Sequence, residues 1–255
     1  LGGVLMTVSK TENPLGYEKI GKLLASFAIP SVISLIINSL YNMVDQIFIG
    51  QGVGFLGNGA TNIIAPISII TIAMSSLFGD GLAAFFSLQL GKGKQDTAAT
   101  GVGNAILVSG VISIIWCIVA SIFLETLCNI FGATENLMPY ALGYGHIIVL
   151  GFPFVIIGTV INASVRTDGS PKYAMFAMMI GAVLNMILDP VFIFVFKWGV
   201  QGAALATVIS QLLGMICNIF YLFKFKNIKL SKSSFILDSH VIRKICALGF
   251  ASCFN

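Results

Sequence analysis

The stretch FAIPSVISLIINSLYNMVDQIFIG, residues 27 to 50, decides the fold. It is long enough to cross a bilayer, which takes about 20 mostly apolar residues as a helix. Yet it keeps a carboxylate, Asp45, with Asn38 and Asn42 nearby. At 100° per residue, positions 38, 42 and 45 fall on one helical face. The span therefore carries a polar stripe, expected to face the protein interior rather than lipid. Pro30, earlier in the run, lacks the N–H that would bond one turn back and is expected to bend the helix.

Composition generalises this reading. The chain has 255 residues, 57% hydrophobic and 9% charged, with mean hydropathy +0.97. Soluble domains carry about 25% charged residues, so this chain cannot cover a water-facing surface. Only helices and closed barrels satisfy every backbone group in lipid. Barrel strands alternate apolar and polar residues over about 10 positions, whereas the runs here are continuous and longer. The expected class is an all-α membrane protein.

Six segments reach spanning length: roughly 23–49, 62–90, 100–124, 140–165, 173–196 and 203–223. Lys10, Lys19 and Lys22 precede the first. Lys92 and Lys94 follow the second, Arg166 and Lys172 the fourth, and six more Lys or Arg the sixth. Only Lys197 falls on the opposite side, so thirteen of the fourteen basic residues share one side. That asymmetry predicts a cytoplasmic amino terminus. It also turns the net charge of +4 into a topology signal rather than a nucleic-acid signal.

The organisation expected is a cytoplasmic segment over 1–22, a six-helix lobe over 23–224, a cytoplasmic linker over 225–241, and the start of a seventh span over 242–255. IRKICALGFAS (242–252) can be laid over IGKLLASFAIP (20–30), with Ile, Lys and Ala coinciding. The alignment fits a chain built from two six-helix repeats, as transporters often are. On this reading the chain is a fragment, and Met6 is a candidate true start. LGGVLMTVSK has its basic residue after the apolar part and no cleavage site, so it is not a signal peptide.

A carboxylate at the bilayer centre costs about 2.5–3.5 kcal/mol on insertion scales. Besides Asp45, NMILDPVFIF (185–194) holds Asp189 deep in the fifth span. Asn185 lies one turn earlier on the same face, and Pro190 follows directly and loosens the local ladder. Such a carboxyl can take up and release a proton. Asp80, in FGDGLAAF (78–85), reads as a break or cap; His146 is a lone histidine near the end of the fourth span; Tyr144 and Asn162 are further polar groups there. The five cysteines form no CxxC and mostly lie in apolar runs, so they read as small buried hydrophobes. The GxGxxG at 52–57 is placed in an outer loop without a βαβ unit, and Gly91–Lys94 lacks P-loop spacing. No HExxH, GxSxG or paired Cys/His set occurs, so no enzyme chemistry and no cofactor is expected.

With these residues in view, the sequence resembles the multidrug and toxic compound extrusion family from about Lys22 to Ala251. The carrying features are IPSVISLIINSLYNMVDQIFIG (29–50), IAPI (64–67) and LQLGKGKQDTA (88–98). To these add VRTDGSPKYAM (165–175), NMILDPVFIF (185–194) and GVQGAALATVISQ (199–211). The resemblance implies two six-helix lobes around a central cavity, with this chain as the amino-terminal lobe and a carboxy-terminal lobe missing. It implies export of small organic, often cationic, compounds across a membrane in exchange for H⁺ or Na⁺. It implies an ion-coupling network of Asp45, Asn38, Tyr144, Asn185, Asp189 and Thr207, with bending at Pro30. One departure is visible: archaeal members carry Gln where this chain has Asn38, and the shorter amide shortens its reach. Two other readings are a lipid-linked oligosaccharide or peptidoglycan-precursor flippase, and a non-transporting scaffold or channel subunit. The first is expected to put more basic residues into its cavity; the second needs no acids inside the spans.

Overall fold

A computed structural model of the chain describes residues 20–250. The expectations for 1–19, and for Cys253 and the last residues of the seventh span, lie outside the described residues. The described residues contain no strand. They form α1 (Ile20–Gly52), α2 (Phe55–Gly91), α3 (Gln95–Ile122) and the short α4 (Leu124–Ile130). Then come α5 (Met138–Thr167), α6 (Pro171–Pro190), α7 (Gly199–Leu222) and α8 (Ser239–Gly249). Six of these, α1, α2, α3, α5, α6 and α7, are long and apolar enough to cross a membrane. The molecule is an all-α, multi-pass membrane protein, and its six spans form one lobe.

Side chains sort as lipid demands. On α3, Val111, Ile114, Ile115, Ile118 and Ile122 point outward and are exposed. Inside, α5 packs against α2, α3, α6 and α7 and is the central helix of the bundle. Two apolar cores stack along it. One joins Ile49, Ile64, Ile67, Leu124, Val149 and Phe152. The other joins Phe78, Leu82, Phe86, Val102, Val160 and Ile245. Trp116 packs against the first core, donates to Thr71 Oγ1 at 2.9 Å and stacks on Phe152.

The second core lies at the end where α2 meets α3, α5 meets α6, and the chain leaves α7. This end is called the linker side. Two buried polar residues strap the linker to it. Asp168, fully buried, accepts from Tyr221 Oη at 2.9 Å, Lys226 N at 2.7 Å and Asn227 N at 3.0 Å. Asn104, also fully buried, donates to Ile236 O at 2.8 Å and accepts from Asp238 N at 2.7 Å. Gly103 beside it is required, because any Cβ there would overlap Ser234 O. Asp238 then caps α8, accepting from His240 N and Val241 N, so that helix begins at Ser239.

Three local expectations need correction. The outer loop placed at 52–57 is only a two-residue joint, Val53–Gly54: Gly52 ends α1 and Gly57 lies inside α2. The turn is possible because Gly54 takes φ 83, a value side chains disfavour. Asp80 neither breaks nor caps α2, which runs unbroken through Gly79 and Gly81. Arg166, assigned to the loop after the fourth span, sits in the last turn of α5.

Candidate ion-coupling site

The site is built by i, i+4 pairs on two neighbouring helices. Tyr41 and Asp45 share a face of α1; Asn185 and Asp189 share a face of α6. These helices pack directly together. Asp45 is 7% exposed, Asn185 2% and Asp189 0%, which places all three inside the lobe. After Asp189 the backbone changes register: Pro190 ends α6 and Val191–Val195 continue as a π turn, with Phe196 N bonding Val191 O at 3.0 Å. The missing proline N–H is a physical reason for the ladder to slip at this point.

The carboxyl groups of Asp45 and Asp189 lie within hydrogen-bonding reach of each other. Both are acceptors when ionised, so their contact is favourable only with a proton or a cation between them. Asn185 Nδ2 donates to Asp189 Oδ1 at 3.2 Å and to Thr207 Oγ1 at 3.3 Å. Gln46 approaches Asp45 and accepts from Thr61 Oγ1 at 3.1 Å. The Tyr144 phenol, on α5, is close enough to interact electrostatically with Asp45, Asp189 and Tyr41. Three buried oxygens in this cluster have no hydrogen-bond donor: Asp45 Oδ1, Asn185 Oδ1 and Asp189 Oδ2. Unpaired buried acceptors cost about 1–3 kcal/mol each, more when charged. An all-oxygen set of carboxylates, amide and hydroxyl suits a proton or a hard cation. Among the described residues no three His, Cys, Asp or Glu side chains converge as a metal centre.

Asp45, Asp189, Asn185, Thr207 and Tyr144 thus come together. Asn38 does not join the carboxyls directly. Its side-chain oxygen accepts from Asn42 Nδ2 at 2.8 Å, and it lines a neighbouring cavity of about 310 Å³. The polar stripe on α1 also divides: Asp45 is buried whereas Asn42 is exposed. α1 runs through Pro30 without interruption, and Ser34 Oγ donates to Pro30 O at 2.8 Å.

The cavity lies among α1, α5, α6 and α7. At one end it is lined by Asn38, Tyr41, Asn185 and Thr207, next to the acid pair. At the linker side it is lined by Asn162, Asn218 and Arg166. Asn162 donates to Ala174 O at 3.0 Å and to Asn218 Oδ1 at 3.2 Å. Sequence reasoning missed Tyr41, Gln46 and Arg166, and also Ser210, which lines the cavity with its buried Oγ unpaired. The signals for three were present: Tyr41 is four before Asp45, Ser210 three after Thr207, and Arg166 four after Asn162.

Comparison with known proteins follows the same lines. Residues 30–191 match the family model MatE. The multidrug export protein MepA of Staphylococcus saprophyticus is 29% identical over 253 residues, covering 94% of this chain and 54% of that protein. MepA of Staphylococcus aureus is also 29% identical, over 246 residues, covering 92% and 53%. A solved MOP superfamily transporter from Pyrococcus furiosus superposes with TM-score 0.89 at 24% identity, over 96% of this chain and 55% of that one. A multidrug resistance MATE family transporter in an outward-facing conformation gives the same values. At that identity the structures establish the fold. The chain spans about half the length of the curated relatives it matches. A match over most of its length, carrying both acid-bearing helices, means that the chain belongs to the MatE family.

Proposed function

We propose that the chain is the amino-terminal lobe of a secondary active exporter. The complete protein moves small organic, often cationic, compounds out of the cell in exchange for H⁺ or Na⁺. MatE membership and two relatives named as multidrug export proteins support the class. The observation that carries the coupling role is the acid pair, Asp45 and Asp189, with three donor-less oxygens around it. A cation or proton entering there removes the mutual repulsion and fills the empty acceptors. Asn185 links that event to Thr207 on α7, and Tyr144 brings in α5. Asn38 and Tyr41 connect it to the cavity wall on α1. Charge neutralisation at the pair and bending of α1 near Pro30 exchange one arrangement of the cavity for another. Drug and ion then favour different arrangements, which is what exchange requires. The concentration of Lys and Arg on the linker side makes that side cytoplasmic, and α8 begins the seventh span toward a second lobe. The test is efflux of ethidium from vesicles holding the complete transporter, under separately imposed pH and sodium gradients. Asp45→Asn and Asp189→Asn should each abolish gradient-driven efflux. Undiminished efflux in both would overturn the proposal.

A further inference from the structure

Arg166 is the one charged side chain among the described residues that line the cavity, and the coupling site does not use it. We infer that it forms an anion-binding subsite at the linker-side end of the cavity, which receives a carboxylate of the transported molecule. The inference rests on the exporter reading above and refines its substrate class.

Four observations support it. The Arg166 Nε is buried and has no hydrogen-bond partner, and the side chain lines the cavity beside Asn162 and Asn218. A buried guanidinium donor without an acceptor is costly, and a carboxylate matches its planar fork. The carboxylate nearest in sequence, Asp168, is not its partner: Tyr221, Lys226 N and Asn227 N occupy it. Its position in the last turn of α5 lets the helix carboxyl end offset part of its charge, but no backbone carbonyl accepts from its Nε. Asn162 and Asn218 are held by each other and by backbone, so they form a fixed rim rather than competing for the guanidinium.

The cavity is therefore bipolar. Along α7, Thr207 marks the acid end and Asn218 the basic end, eleven residues apart, or about 16 Å at 1.5 Å per residue. The wall between is mostly apolar and small, including Gly158, Gly181 and Gly214. Its volume, about 310 Å³, falls at the lower end of small-molecule pockets. An elongated molecule with an ammonium at one end and a carboxylate at the other matches both poles. A simple cation meets only the first.

The test uses two dyes that differ in one group: a cationic rhodamine bearing a free benzoate, and its methyl ester. Affinity is read by fluorescence polarisation on the complete, purified transporter, and export is read in vesicles. The wild type should bind the acid more tightly than the ester. Arg166→Gln should lower the acid-to-ester affinity ratio about tenfold, as expected for loss of a charge-assisted pair, and Arg166→Lys should restore part of it. Free benzoate should compete with the acid and not with the ester, a readout on the wild type that stands even if the Gln variant fails to fold. An unchanged ratio in the variants, or benzoate without effect, overturns the subsite. Vesicles of phosphatidylcholine, with and without phosphatidylglycerol, separate a substrate carboxylate from a lipid phosphate. A preference that vanishes when phosphatidylglycerol is added assigns the guanidinium to the headgroup and also overturns it. Failure of the wild type to export even the ester counts against the exporter reading, whereas ester export without an acid preference counts against Arg166 alone.

Discussion

Asp189 and Asp45 meet carboxyl to carboxyl between α6 and α1, with Asp189 steadied by Asn185 at 3.2 Å. The two residues are 144 positions apart, so the contact exists only when those helices are packed. An ion bound by the pair must therefore stabilise the packed lobe, by RT ln(1 + [L]/Kd). At one hundred times Kd this is about 2.7 kcal/mol, a shift of about 5–11 °C in melting temperature for a chain of this size. The purified complete transporter should show such a rise on adding sodium at fixed pH, or on lowering pH without sodium. Whichever ion acts is the coupling ion. The double variant Asp45→Asn/Asp189→Asn should lose the response; if it keeps it, the ion binds elsewhere.

Asp168 makes a second, independent prediction. Its carboxylate satisfies two linker N–H groups and the Tyr221 hydroxyl from a fully buried position. Asp168→Ala removes three bonds to a charged acceptor and leaves their donors unmet, costing about 3 kcal/mol. Lys226 and Lys229, exposed on the linker, should then be cut by trypsin at least about tenfold faster than in the wild type. Unchanged cleavage would mean that Asn104 alone holds the strap.

How much of this was legible in the sequence depends on how local the physics is. The spans could be read because apolar length is itself the requirement, and Asp45 and Asp189 because an acid in an apolar run is costly wherever it points. That the two share a site was implied only by the family resemblance, since nothing local records which helices become neighbours. Asn42 was misjudged because positions 42 and 45 lie about 60° apart on a helix, and the edge of the lobe falls between them. Arg166 was lost to a boundary error of two residues, which moved it from a helix into a loop. α4 is too short to announce itself by hydropathy, though it seats Leu124 and Cys128 in the core.

Gly81 predicts how α8 is held against α2. A Cβ at that position would overlap Ile245 O and press on Gly249, so the two backbones touch there. Small residues permit such close helix contacts in membranes. Gly81→Val should push α8 away and cost about 1–3 kcal/mol, the usual range for overpacking. The check is a lowered melting temperature together with a faster reaction of Cys246, half-buried in the wild type, with a maleimide. A variant that melts normally and leaves Cys246 slow would show that the helices have no need of the glycine.

Cys128 should be nearly inert. It lies in α4, outside the spans, and is fully buried. Burial pushes its thiol pKa up, and the nearby Glu125 carboxylate adds to the rise. The thiolate is the reactive form, so at neutral pH its population falls below that of a free cysteine, and reaction should speed up only as pH rises. In a variant with Cys128 as the sole cysteine, labelling by a soluble maleimide at pH 7 should be at least about tenfold slower than for a cysteine placed at Lys92, an exposed position. Equal rates would show that α4 opens freely.

Pro30 separates ion binding from movement. It lies 15 residues before Asp45, about 22 Å along α1 at 1.5 Å per residue, too far to touch the ion. α1 passes through it as one helix, with Ser34 bonded back to its carbonyl at 2.8 Å. Pro30→Ala supplies the missing N–H and relieves the ring's clash with the preceding turn. In a helix interior that change favours the straight form by up to about 3 kcal/mol. If α1 must bend there for ion and drug to exchange, the bent form becomes rarer and gradient-driven efflux should fall at least about tenfold. The melting-temperature response to the coupling ion should survive, because Asp45, Asp189 and Asn185 are untouched. Loss of both together would instead mean that Pro30 shapes the site itself, and full efflux in Pro30→Ala would remove bending at this residue from the mechanism.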